Sequence, residues 1–477
     1  VDANNINDDN DSRRHWAVVG GGMLGMTLAL RLAQQGQRVT LLEAAPTLGG
    51  LASAWRLGDV TWDRFYHVTL LSDSSLRGLL AEIGLEDSMR WIETKTGFYS
   101  GGRLHSMSNS VEFLRFPPLT LIEKLRLGGT IFLASKLKNW RRLEKVSVES
   151  WLRRYSGGGV FEKIWLPLLK AKLGETYKQT SAAFIWAHIN RMYAARRSGL
   201  KKEMFGYVPG GYSAILERLA QTLDPLGVEI KCSSPVHEAL SVEDGSVSVS
   251  AGDQPPQRFD RVVFTTPTPS IVNAVPELRP EERQRFEGVR YLGIVCASLL
   301  LKKPISKYYV TNITDAWVPL TAVIEMTTIV DRDELGGSAL VYLPKYVPSD
   351  DPLFEESDES LQERWIGTLE KMYPHFSRDD VQAFQVCRAR NVMAMPTIGY
   401  SEKLPPLRTS VPGVFAVNSA HILKGNLNVN ETVQVADEAI TGVLASELGP
   451  AAGRRPSRPA PTGGSDAQAD RELVARS

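Results

Sequence analysis

The chain has 477 residues, enough for two or three domains and a sizeable buried core. Hydrophobic residues make up 43%, charged residues 23% and aromatics 8%, which excludes a mainly disordered, collagen-like or disulfide-scaffold protein. Lys plus Arg number 55 against 54 Asp plus Glu, a formal net charge of +1, so the molecule lacks the field of a dedicated nucleic-acid binder and no nucleic-acid partner is expected.

Residues 1–14 are rich in Asn and Asp, without the basic-then-apolar order of a signal peptide, and read as a disordered leader. Residues 15–110 begin with a short apolar strand at Trp16-Ala17-Val18-Val19. The glycine turn Gly20 to Gly25 and a helical pattern follow, broken at Gly36 before a second strand from Arg38 to Leu42. From 111 to 200 the reading is helical, basic and rich in Trp and Leu, an insertion; helix and strand patterns return over 201–285. Residues 286–400 are read as a sheet domain, because Tyr291 to about Tyr346 alternates apolar and polar positions as antiparallel strands do, with a helix expected over Glu355 to Tyr373. A buried strand at Val414 to Val417 and a helix from Glu431 to Leu448 close residues 401–448, and 449–477 read as a disordered tail. The fold class is therefore α/β, a Rossmann-like domain assembled from three stretches, with an antiparallel-sheet substrate domain and a helical insertion. Cys232, Cys296 and Cys387 are the only cysteines, without zinc-type spacing, so no metal and a reducing, cytoplasmic setting are expected. The longest apolar run, Leu292 to Leu301, falls short of the roughly 20 residues of a membrane span.

Gly20, Gly22 and Gly25 have GxGxxG spacing in the one context where that spacing carries a mechanism, straight after a strand and opening a helix. Gly20 permits the turn, Gly22 lets a pyrophosphate approach the backbone, and Gly25 lets helix and strand pack closely. The amides of Met23, Leu24 and Gly25 then face the phosphate. Glu43, about 20 residues on, can accept hydrogen bonds from ribose hydroxyls, and its charge disfavours a 2′-phosphate.

The residues after Glu43 specify the dinucleotide. Glu43-Ala44-Ala45-Pro46-Thr47-Leu48-Gly49-Gly50-Leu51-Ala52 resembles the corresponding segment of the FAD-dependent amine oxidase, protoporphyrinogen oxidase and phytoene desaturase superfamily. Further matches are Trp62-Asp63-Arg64-Phe65-Tyr66-His67, similar to a loop under the flavin ring, and Val208-Pro209-Gly210-Gly211. Ser234-Pro235-Val236, Thr265-Thr266-Pro267, Val414 to Asn418 and Glu431-Thr432-Val433 complete the set, in family order. The resemblance implies noncovalent FAD, because no Cys lies between Thr397 and Glu431. It places Glu43, Ala44, Gly50, Leu51, Ala52, Val236, Thr266, Asn418, Thr432 and Val433 at the cofactor beside Gly20 to Gly25. Asn418 departs from the family's usual Asp. It also implies hydride transfer from a C–N or C–C unit of a small organic substrate, with oxygen or a quinone-like molecule as electron acceptor, since no second glycine unit for NAD is present. A redox-neutral reaction similar to that of UDP-galactopyranose mutases is the alternative, with Asn426, Asn428 and Asn430 suited to polyol contacts.

On the substrate side, His67, Tyr342, Lys345 and Arg390 are the catalytic candidates, with Asn312, Asp315, Glu325, Arg388, His421 and Lys424 as further polar residues near the ring. Basic residues of the insertion, from Arg115 to Arg154, are interleaved with Leu, Ile, Phe and Trp. Three readings stand: a peripheral membrane contact through 111–155, an electropositive mouth for an anionic substrate, or a solvated helical face. A homodimer is a further expectation.

Overall fold

Four consecutive buried residues, Trp16 to Val19, are what a strand covered on both faces requires. In the structure, a computed structural model that describes residues 13–196 and 203–448, that strand is the centre of a parallel sheet. The sheet order is Glu229–Lys231, Arg38–Leu42, His15–Val19, Arg261–Phe264 and Val414–Ala416. Side chains alternate between two apolar layers. Trp16, Val18, Leu41 and Val263 pack with helices Met23–Gln34, Gly211–Leu223 and Val429–Thr441. Ala17, Val19, Val262 and Phe264 pack under a small antiparallel sheet built from Val236–Ser241, Val247–Ala251 and Gln257–Phe259. The leader up to residue 12 and the tail from 449 lie outside the described residues. Arg14, at the inner end of the leader segment, is tied to Glu447 at 3.2 Å.

The second sheet has seven strands in the order Val381–Ala394, Tyr291–Leu301, Ala339–Pro348, Ala322–Glu325, Val310–Ile313, Thr96–Ser100 and Arg103–Ser106. All eleven residues of Tyr291–Leu301 are buried, so the longest apolar run of the sequence is the strand with neighbours on both edges and layers on both faces. One face carries helix Asp358–Met372 through Leu361, Trp365 and Leu369. The other carries the insertion, whose helices include Leu121–Lys136, Trp140–Glu144, Val148–Ser156, Leu166–Leu173 and Ala182–Arg196.

Two placements differ from the sequence reading. Thr96–Ser100 and Arg103–Ser106, read with the dinucleotide domain over 15–110, belong to the seven-stranded sheet, because Thr96–Ser100 pairs in parallel with Val310–Ile313. A parallel partner more than two hundred residues away leaves no local pattern. The last helix starts at Val429 rather than Glu431, because the Asn428 side chain accepts from the Glu431 amide and caps it two residues early.

Candidate functional site

The glycine turn after the first strand and a second turn at Gly49-Gly50 pack backbone to backbone. The Gly49 amide donates to the Gly21 carbonyl at 2.8 Å, and Gly22 and Gly49 form a parallel bridge. Gly20 has φ +108° and Gly49 φ +119°, conformations that side chains other than glycine rarely adopt. A Cβ on Gly25 would fall 1.8 Å from the Gly20 carbonyl oxygen, so helix and strand meet there only because that atom is missing. Gly22 faces open space apart from Gly49 and Gly50 at 3.9 Å. Helix Met23–Gln34 starts there with no side-chain cap and no acidic residue in its first turn. Its leading amides, those of Met23, Leu24 and Gly25, have no carbonyl partner in the helix and suit a phosphate.

Around this groove the structure gathers the residues of the expected cofactor path. Glu43 accepts from the Gly21 amide at 2.5 Å and the Ala45 amide at 2.8 Å, which fixes its carboxylate at the end of the strand beside exposed Ala44. Ser233 and Ser234 donate to the carbonyls of Ala45 and Glu43 and bring Val236 to the same edge. Leu51 and buried Ala52 lie in the short turn of helix after Gly49. Thr266 Oγ1 is buried without a hydrogen-bond partner. Asn418 is fully buried; its amide donates to the Thr266 carbonyl at 3.0 Å and its oxygen accepts from the Ala420 amide at 3.0 Å. Thr432 and buried Val433 fall in the first turn and a half of the last helix, Thr432 bonding back to the Asn428 carbonyl.

The strand and loop from Trp62 to His67 pack on the face of the seven-stranded sheet that carries the insertion. The buried Asp63 oxygen Oδ1 accepts from the Tyr212 amide at 2.9 Å, at a turn where Gly211 has φ +66° and a Cβ would sit 3.0 Å from that oxygen. Burial pushes the Asp63 carboxyl up to about 8 against the single amide that holds it down. Burial likewise takes the His67 imidazole down to about 4. The 4.0 Å approach of His67 Nδ1 to Asp63 Oδ2 is therefore a meeting of two neutral groups near pH 7, not an ion pair. The Tyr342 hydroxyl donates to the Asp63 carbonyl at 2.6 Å and pins the loop to the sheet, and the hydroxyls of Tyr66 and Tyr346 meet at 3.3 Å. Tyr66, Tyr342 and Cys296 share this face, and Cys387 stands directly opposite Cys296 in the strand register.

Other candidates lie elsewhere. Tyr342 and Lys345 are three apart in one strand, so they point to opposite faces. Lys345 lies opposite Val295, on the face of helix Asp358–Met372, where burial lowers its affinity for a proton. Arg388 also faces Val295 and pairs with Asp358 at 2.6 Å, while Arg390 pairs with Glu355 and stacks 4.6 Å from the Phe354 ring. Asp315 caps a turn through the Gly101 and Gly102 amides. Glu325 accepts from the Ile305 amide at 2.9 Å and from Thr327, with burial raising it to about 7. Asn428 and Asn430 are occupied by the last helix and by the Ser75 and Leu76 amides. His421 bonds the Asn418 and Pro405 backbone, and Lys424 is exposed. The sequence reading passed over Arg64, whose Nε is buried and unpartnered, and over Tyr66; the only sequence signal was their place between Asp63 and His67.

A parallel sheet with a bare glycine groove, a carboxylate at the second strand, and a second sheet whose aromatic face packs on the loop from Trp62 to His67 define a dinucleotide-dependent oxidoreductase. The model of the flavin-containing amine oxidoreductases matches residues 24–426, and the chain belongs to that family. Its cofactor is FAD, and the residues present fit it. The groove has room that a Cβ would fill, the helix amides are uncapped, and Thr266, Arg64 and His67 hold buried polar atoms with no partner in the protein. The zeta-carotene desaturase of Synechocystis sp. is 22% identical over 454 residues, 84% of this chain and 91% of that one. The carotenoid phi-ring synthase of Streptomyces griseus is 25% identical over 319 residues, 61% of this chain and 60% of its own length. Among solved structures, a putative protoporphyrinogen oxidase from Exiguobacterium sp. 255-15 superposes with a TM-score of 0.72 at 21% identity, covering 91% of this chain and 99% of the other. Putrescine oxidase does so with a TM-score of 0.69 at 17% identity, covering 91% and 99%. These structures share the fold.

Proposed function

We propose that this oxidoreductase is a dehydrogenase of the desaturase kind, acting on a C–C unit of a lipid-soluble substrate reached from a membrane surface. The observation that carries the reading is a run of apolar side chains left in water on the insertion. Val111, Leu114, Leu121, Ile122, Leu125 and Phe132 are between 54% and 71% exposed, more than any other large apolar side chain described. They crowd one short stretch, whereas single exposed apolar residues scattered over a surface would need no explanation. Helix Leu121–Lys136 is held firmly by a capping box between Thr120 and Glu123, so the apolar residues are displayed by an ordered element. Arg115, Lys136 and Lys138 flank them, the arrangement of an interfacial helix on anionic lipid. No helix among the described residues is long and apolar enough to cross a membrane. The carotenoid names of the relatives support a polyene or related hydrocarbon as substrate.

Bound FAD supplies the two-electron acceptor. The chain's part is to hold the substrate C–H over the ring and exclude water. Tyr66, Tyr342 and Tyr346 give the loop from Trp62 to His67 an aromatic surround, and Asp63 and His67 within it stay uncharged near neutral pH, which keeps that surround suited to a hydrocarbon. His67 Nδ1, buried and without a hydrogen-bond partner in the protein, is free to meet a polar atom of the cofactor. A quinone-like electron acceptor dissolved in the same membrane fits this reading. Gly20, Gly22, Gly25 and the amides of Met23 and Leu24 would hold the pyrophosphate, Glu43 the ribose, and Thr266 and Asn418 the middle of the cofactor.

The test is anaerobic mixing of the flavoprotein with vesicles carrying phytoene or zeta-carotene, and separately with putrescine, following the flavin band near roughly 450 nm. Bleaching by the vesicle-borne polyenes alone is the expected result. Bleaching by the diamine, with none by any lipid-borne substrate, would replace this reading with amine oxidation.

A further inference from the structure

A half-open cleft of about 380 Å³ lies where the insertion, the seven-stranded sheet and the segment after it meet, and none of the roles above uses it. Its floor is apolar: Met395, Tyr400 and Leu404 are 3%, 6% and 9% exposed. Its rim carries Lys178, Arg290 and Lys403, and no carboxylate lines it. Lys178 shares its charge with Glu175 at 2.7 Å on the outer surface. Neither Arg290 nor Lys403 has an ion-pair partner among the described residues. Arg290 Nη1 donates to Gln179 Oε1 at 3.3 Å, and Lys403 Nζ donates to the Ile398 carbonyl at 2.9 Å, so both are steadied by neutral groups and not by a carboxylate.

The walls are built rather than accidental. The Ser181 amide bonds the Pro396 carbonyl at 2.9 Å, the Ile398 amide bonds Gln179 at 3.0 Å, and the Gly399 amide bonds Glu144 at 3.1 Å, lacing the segment to the insertion. The Met395 amide bonds the Arg290 carbonyl at 2.8 Å. The floor also reaches toward the cofactor domain, because the Tyr400 hydroxyl donates to the Ala420 carbonyl at 2.9 Å, in the turn that Asn418 caps after the last parallel strand. An apolar floor beneath unpaired cations matches a molecule with an apolar body and an anionic end.

We propose that this cleft binds the anionic head, phosphate or carboxylate, of an amphiphilic lipid, with the first carbons of its chain on Met395, Tyr400 and Leu404. The proposal goes beyond the reading above, since a polyene hydrocarbon has no charged end, and it takes from that reading only the membrane surface from which an amphiphile would come. The test uses the purified flavoprotein and three probes of one chain length below their micelle thresholds, dodecyl phosphate, laurate and dodecanol, with binding read by calorimetry. One site per chain is expected for the anions, with dodecanol at least about tenfold weaker. Arg290→Glu and Lys403→Glu, both at exposed positions, should each weaken the anions about tenfold and leave dodecanol unchanged. Melting temperature and flavin spectrum identify any variant that has lost its fold. Tighter dodecyl phosphate marks a phosphate head and tighter laurate a carboxylate. Equal binding of all three probes, or charge reversal without effect in folded variants, overturns the proposal. Binding is read without turnover, so a protein that takes the anions but is reduced by no lipid substrate overturns the proposed reaction and leaves the cleft assignment standing.

Discussion

At the scale of single residues, one position decides whether the cofactor groove exists and a second sets how the loop under the seven-stranded sheet responds to pH. Gly25 is the first, since any Cβ would overlap the Gly20 carbonyl. Gly25→Ala must push the helix off the strand, and a loss of about 3 kcal/mol is expected together with loss of bound flavin. The melting temperature and the ratio of flavin to protein absorbance check this; an unchanged melt with full flavin content would contradict the packing. Asp63 is the second. A carboxyl raised from 3.8 to about 8 binds a proton in the folded chain that the unfolded chain has released, so it costs stability progressively as pH rises from about 4 to about 8. Asp63→Asn keeps the acceptor for the Tyr212 amide and removes the titration. The variant should gain on the parent at pH 8 relative to pH 5, read as the shift in urea midpoint at the two values. Gly25 was legible in the sequence, because spacing after a strand has one mechanical meaning. Asp63 could be placed in a loop but not given its neutrality, which comes from burial supplied by residues distant in the chain, Tyr212 and Tyr342 among them.

At the scale of elements, a part-buried ion pair joins the insertion to the dinucleotide side. Arg191, in helix Ala182–Arg196, reaches Asp73 at 2.8 Å, and Asp73 is only 3% exposed at the start of helix Ser74–Glu82. Arg191→Ala leaves that carboxylate buried with only the Leu70 amide, and a loss of about 3 kcal/mol is expected. Asp73→Asn in the Arg191→Ala background should recover part of it. Denaturant midpoints of the two variants test this, and no recovery would mean that the pair contributes packing rather than charge compensation. The helices of the insertion were visible in the sequence as periodicity. The strand Val381–Ala394 was not, since its buried and half-buried residues do not alternate regularly and its pairing with Tyr291–Leu301 is interrupted by register shifts. The same limit explains why Lys345, Arg388 and Arg390 were grouped with Tyr342. Which face of the sheet meets the cofactor is decided by what packs there, and strand parity then sends those three cations to the far side.

Over the whole molecule, groups taken partly or wholly out of water shape the response to pH. Half-buried His15 and His67 are held near 4 by burial, so the unfolded chain takes up protons between about 6.5 and 4 that the folded chain refuses, and these two cost stability as pH drops through that window. Asp63 and Glu325, raised by burial to about 8 and about 7, act in the opposite sense and cost stability as pH rises. Of these four groups only the carboxyls act between about pH 6.5 and 8, so stability should fall over that interval, to be checked by urea titrations at the two ends. A rise over the same interval would mean that Asp63 and Glu325 are ionised in the fold.

The sequence by itself determined a dinucleotide site after the first strand, because phosphate binding at a helix end needs glycines at fixed local spacing, and local spacing is written along the chain; FAD followed from the resemblance of the segments after Glu43. The sequence also marked the insertion as basic and apolar. The tertiary structure decided which of those apolar residues stay in water, which face of the second sheet packs on the loop from Trp62 to His67, and that Arg290 and Lys403 stand together over an apolar floor. Exposure, facing and convergence depend on contacts between residues far apart in the chain, and such contacts exist only after the layers have packed.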